Sequence, residues 1–222
     1  MCINKEYSLL ALVVSYTVGG FLIYRNHGLD RWNAISLIAF SSMQLLDFLL
    51  WLLHDTGNFT GLPNLIISKY LIPIFLSLII ICIYIGSQLY KNGNKISGLG
   101  NRLLADITKP NKYYPKILIL FAVVTCVLSI LNSNQTVVGS EGNLVWGHII
   151  RDGIRKYIIG ILFIFFLIYP YLEYFFSKTL VTVIVTYIVL TLGYSFVKGA
   201  GWGSYWCWIA NFLAVIMLVG SK

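Results

Sequence analysis

The sequence predicts an all-α membrane protein, a single domain over 1–222 built as a bundle of seven transmembrane helices, with a short extramembrane hairpin between helices 4 and 5. Three observations carry this. The chain is 58% hydrophobic and 11% charged, against about 25% charged in soluble domains. Its mean hydropathy is +0.80, more apolar sequence than a water-soluble core of this size needs. Seven apolar runs also approach the ~20 residues, at 1.5 Å rise, that a bilayer core requires.

In chain order the runs are roughly 8–25, 33–54, 65–90, 115–132, 154–176, 179–197 and 202–220. Lys5, offset by Glu6, precedes the first, and no small-residue cleavage site follows; it is expected to be a retained helix rather than a signal peptide. The third run is long and contains Pro73, which predicts a kink or tilt. The fourth is short. Only Ser177 and Lys178 separate the fifth and sixth, which forces a tight helical hairpin. Two β-prone stretches, 136–138 and 144–146, flank the Gly-containing segment 139–143 and predict the extramembrane hairpin. No repeat of solenoid length is present, and inverted transporter-like halves are not evident.

The formal charge of +8 does not call for nucleic acid, because the basic residues sit in loops between apolar runs. With seven spans, ten of the 16 Lys and Arg residues fall on the side of the C-terminus and six on the other. The positive-inside bias then predicts a cytoplasmic C-terminus and an N-terminus outside or in a lumen. Two glycosylation sequons, starting at Asn58 and Asn134, fall on that outer side. The loop from Lys91 to Lys116 carries six basic residues against Asp106. Its Leu99, Leu103, Leu104 and Ile107 are spaced for an amphipathic helix that would attract anionic lipid, although a solvated basic loop explains the same charges.

Asp47 lies within the second run, and ionised carboxylates in hydrocarbon are costly unless they face protein or water. At 100° per residue, Asn33, Ser36, Gln44, Asp47, Trp51 and His54 fall within roughly 80° of arc, opposite Ile38, Leu45, Leu46, Leu49, Leu52 and Leu53. One helix is thus expected to have a polar side and a lipid side, the latter broken only by Ser42. Ser204, Cys207, Trp208 and Asn211 share one side of the last run, where Asn211 can hydrogen-bond across a helix interface.

These residues leave three functions open. Asp47 can be a proton carrier or cation site in a polar cavity lined by Gln44 and Asp47, with Trp51, His148, Cys207 and Asn211 nearby. It can serve as acid or base with His148 in an intramembrane enzyme acting on lipid. It can also be a neutral structural acid, because burial disfavours the charged form. Metal catalysis needs three or more convergent ligands, which would have to be Asp47, His54 and His148. Cys2, Cys82, Cys126 and Cys207 have no metal-ligand spacing and read as structural thiols. A retinal-binding lysine is missing from the last run, bracketed by Lys198 and Lys222, and no GxSxG motif occurs. No cofactor is expected.

Four pieces together resemble a family of small, uncharacterised multipass membrane proteins, mostly bacterial: Met1-Cys2, the Gln44-x-x-Asp47-x-x-x-Trp51 helix, Gly147-His148, and Ser204-Tyr205-Trp206-Cys207. Their order and rough spacing match along most of the chain. Asp47 stands where that family usually has glutamate, and Ile3-Asn4 replaces its aromatic-Ser pair. The family has no established activity, so the resemblance implies a fold and a set of site residues and no function.

Overall fold

Asn4 starts the first helix, its side-chain oxygen accepting from the Tyr7 amide at 2.9 Å and satisfying one of the orphan donors of the first turn. Helix α1 (Lys5–Arg25) ends at Asn26, whose left-handed φ of 48° returns its N–H to the Leu22 carbonyl. The computed structural model describes residues 4–27, 30–93, 114–132, 134–139, 142, 144–146, 162, 211, 214–215 and 218. Most of the basic loop and nearly all of the last three expected spans lie outside the described residues.

The remaining elements are α2 (Asp30–Asp55), α3 (Leu62–Ile66), a π-helical turn (Ile67–Leu71), α4 (Ile72–Gly93), α5 (Tyr114–Asn132), β1 (Val137–Val138) and β2 (Leu144–Val145). Four helical segments are long and apolar enough to cross a membrane: Lys5–Arg25, Asp30–Asp55, Leu62–Gly86 and Pro115–Asn132. They match the first four expected spans to within a few residues. Helix α2 is the most enclosed, 56% of its span being buried, against 28% for the first and 17% for the fourth.

Pro73 sits just after an irregular turn of its helix. The ring has no N–H to offer the carbonyl four residues back and clashes with it. The chain widens into a π turn just before it, where the Ile72 amide reaches the Ile67 carbonyl.

Helices α1 and α2 run antiparallel, tied at one end by Lys5–Asp55 and at the other by Arg25–Asp30. The Lys5 pair is about 40% exposed and contributes little, since exposed ion pairs are worth ~0–1 kcal/mol. The Arg25 pair is a fork: Nε and Nη2 each donate to one oxygen of the buried Asp30 carboxylate at 2.7 Å, and the His27 amide adds a third bond at 3.0 Å. Arg25 also reaches the Leu218 carbonyl at 3.4 Å, and Ala214 packs with Leu22 of α1 and with Ala34 and Leu37 of α2.

Small residues set how closely the helices approach. Ser8, Ala11, Ser15, Gly19 and Leu22 form the buried stripe of α1. A Cβ on Gly19 would stand 2.7 Å from Ile38 Cγ1, and one on Gly86 would stand 2.7 Å from Trp32 Cδ1. Membrane helices lack a hydrophobic drive to associate, so close backbone contact at such positions supplies much of their packing. This corrects the expected lipid side of α2. Ile38 and Ser42 face α1, with Tyr16 bonded to Ser42 at 3.0 Å, and Leu46 is buried in the core with Ile67, Ile72 and Ile79. Leu45 and Leu52 stay the most open, each 37% exposed.

Gly19→Ala is therefore expected to destabilise the detergent-solubilised protein by about 1–3 kcal/mol, the usual cost of overpacking. Gly20→Ala, with nothing within 4 Å of its Cβ, should be neutral. Paired thermal unfolding curves check this, and equal midpoints for the two variants would contradict the close approach of α1 to α2.

Candidate functional site: a capped carboxyl

The site begins with the segment that follows α5. Thr136 is 1% exposed and meets two side chains spaced one turn apart at the start of the third span, Asn64 and Ser68. The Ser68 hydroxyl gives its single proton to Asn64 Oδ1 at 2.6 Å. At the 2.7 Å contact between Ser68 and Thr136 the threonine hydroxyl must therefore donate. The Thr136 amide lies 3.1 Å from Asn64 Oδ1 and 3.0 Å from Ser68 Oγ, while Asn64 Nδ2 donates to the Thr136 carbonyl at 2.9 Å. Asn64 Nδ2 also donates to the Phe59 carbonyl, and Gln135 donates to the Thr60 carbonyl at 3.1 Å. Every polar atom of Thr136 is thus engaged, and the chain leaving α5 is fastened to the mouth of the bundle.

From that anchor β1 pairs antiparallel with β2, Val137 opposite Val145 and Val138 opposite Leu144. The turn closes with the Gly142 amide on the Gly139 carbonyl at 3.0 Å, and Gly142 has φ +71°, where a side chain would be strained. Strand alternation puts Leu144 and Trp146 on one face. Leu144 is completely buried in the core cluster of Leu46, Leu50, Trp51 and Ile67, and Trp146 packs against that cluster. Its indole Nε1 donates to Asp47 Oδ1 at 3.0 Å.

Asp47 is fully buried, as is Gln44 one turn earlier, while Trp51 one turn later is 7% exposed. Above them the rings continue to the helix end: Trp51 meets His54 edge-on at 5.5 Å and His54 meets Phe59 edge-on at 5.4 Å. His54 is half-exposed, its Nδ1 3.6 Å from Asp55. It belongs to an aromatic rim over Asp47 and to the Lys5–Asp55 surface.

Of the sequence-derived site residues, Gln44, Asp47 and Trp51 lie on one buried strip of α2. Asn211 has a buried Oδ1 and precedes by three residues Ala214, which packs with Leu22, Ala34 and Leu37. His148 and Cys207 lie outside the described residues. Among the described residues no group of three His, Cys, Asp or Glu could hold a metal, and Cys82 and Cys126 are free thiols. The sequence singled out neither Trp146 nor the Asn64, Ser68 and Thr136 knot. A tryptophan in a β-prone stretch carries an N–H that needs an acceptor when buried, a signal that a partner exists without naming which.

Chemically, the strip offers a carboxyl held by a donor that cannot itself take up a proton. Of the two partners in this bond, only the carboxyl is able to titrate. Compared with family models, curated proteins and solved structures, the chain matches none.

Trp146→Phe keeps the ring but deletes the donor, and Thr136→Val deletes the hydroxyl of the knot. Each is expected to cost about 1–3 kcal/mol by stranding a buried polar partner. Thermal unfolding in detergent measures it. A Trp146→Phe variant as stable as the parent would show that the indole bond contributes nothing.

Proposed function

We propose that this chain is a polytopic membrane protein that binds and passes a small solute, proton or cation through a polar intramembrane path, with Asp47 as the binding carboxyl and the hairpin as its cap. The indole bond from Trp146 to Asp47 carries the reading. A buried acid on a membrane helix is a functional position by default. Here its partner comes from a two-stranded hairpin, an element separate from the four helical segments.

Occupation of Asp47 by a proton or cation removes the negative charge that the indole dipole favours. The bond weakens, and the hairpin is freed to open. In this reading the hairpin end is the outer side, the Arg25–Asp30 end is cytoplasmic, and the resemblance to small multipass membrane proteins extends to the site residues Gln44, Asp47 and Trp51. The exposed Asn58 and Asn134 both lie at the hairpin end, in keeping with that orientation.

The same bond also supports a second reading, a structural acid satisfied by an indole and carrying no ligand. Flux separates the two. In vesicles holding the purified full chain and a pH-sensitive dye, pH-driven proton uptake should be lost in Asp47→Asn and kept in Asp47→Glu, with Trp146→Phe altering its rate. Asn at position 47 can still accept from the indole, so the variant is expected to fold. Uptake identical in the parent and Asp47→Asn would overturn the transport reading and leave the structural one.

A further inference from the structure

The strip of α2 that carries Asp47 continues beyond it. Asn33 and Ser36 lie on the same arc, one turn apart, and each is 2% exposed. Residues spaced by three on a helix have Cβ atoms about 5–6 Å apart, so the two side chains are neighbours. Asn33 Oδ1 and Ser36 Oγ are both buried, and neither makes a hydrogen bond among the described residues. Buried polar atoms in folded proteins nearly always have a partner, and an orphan asks what it is for. These two sit side by side, and both are oxygens.

Between the two ends of the strip lies Phe40, 6% exposed, four residues after Ser36 and four before Gln44. From Asn33 to Asp47 the rise is about 21 Å, within a hydrocarbon core of about 30 Å. One face of α2 therefore presents two oxygen-bearing stations about 21 Å apart along the helix, with an aromatic ring between them.

We propose that Asn33 and Ser36 form a second cation station in series with Asp47, that Phe40 is the constriction separating them, and that the ion is a small monovalent cation of the alkali or ammonium class. The inference rests on the reading of Asp47 as a binding carboxyl. Oxygen ligands suit hard cations, and an ammonium ion can donate to the same two atoms. The described part of the strip holds one carboxyl, Asp47, so a single positive charge balances it. Neutral oxygens at the other station hold the ion more weakly, which lets it leave; conduction requires binding that is favourable but not too tight.

The test uses the full chain in vesicles with K⁺, Na⁺ and ammonium as probes, read by ion-sensitive dyes, beside unfolding curves in detergent. An Asn33→Leu, Ser36→Ala double variant should lose at least tenfold in cation flux while its stability holds or rises, since two orphan atoms are removed. Phe40→Ala should raise flux. If the double variant passes cations at the parental rate while Asp47→Asn abolishes flux, the second station is refuted and the Asp47 reading stands. If the parent moves protons but none of the three cations, the station is again refuted. If Asp47→Asn changes neither proton nor cation flux, both readings fall. Where the double variant does not fold, Ser36→Ala alone gives the same comparison, and parental flux there counts against the station.

Discussion

The described structure depends on a knot of hydrogen bonds among Asn64, Ser68 and Thr136. An amide side chain and a hydroxyl one turn apart present a donor and two acceptors toward the mouth of the bundle, and a single threonine answers with its amide, carbonyl and hydroxyl. All the participating side chains are buried. In a water-poor setting the cost of leaving any one of these atoms unmatched is what gives the arrangement its specificity. Because Thr136 opens β1, fixing it also fixes the register of a hairpin too short to be stable by itself. The hairpin then delivers Leu144 to the core and Trp146 to Asp47.

A second constraint lies in the approach of the helices. Gly19 and Gly86 each leave room for one large neighbour, Ile38 and Trp32. Helix α2 is thereby clasped from two directions, by α1 through a stripe of small residues and by α4 through Gly86. That clasp explains why α2 can carry so many polar groups. With its apolar sides spent on α1 and α4, the remaining arc, with Asn33, Ser36, Gln44 and Asp47, is turned inward. All four residues are at most 2% exposed.

Much of this was legible in the sequence, and the gaps have a physical origin. Length and hydropathy located the first four spans, because a bilayer fixes both. The hairpin was legible from two β-prone stretches around glycine, and the inward position of Asp47 from the cost of a carboxylate in lipid. The lipid side of α2 was misjudged at Ile38 and Leu46, since acyl chains and neighbouring helices are equally apolar and periodicity cannot tell them apart. Pro73 signalled an irregularity, but its form as a π turn was not legible, since Ser68 within that turn is tied to Thr136 by a contact spanning 68 residues. The Trp146 partnership spans 99 residues. No spacing rule reaches that far.

Depth decides how the cap must be read. Asp47 is eight residues before the end of α2, so it lies about 12 Å below the end of that helix. An indole is shorter than that, so the hairpin must descend into the mouth of the bundle. The complete burial of Leu144 agrees. Non-helical backbone at such depth is tolerated only where protein or a wet cavity surrounds it, because its N–H and C=O groups find no partners in lipid. Among the described residues two pairs are joined in the ladder, and the backbone groups of Thr136 are met instead by the side chains of Asn64 and Ser68. Raising the segment would break these bonds together with the burial of Leu144, so the knot, the leucine and the indole bond hold it at that depth jointly.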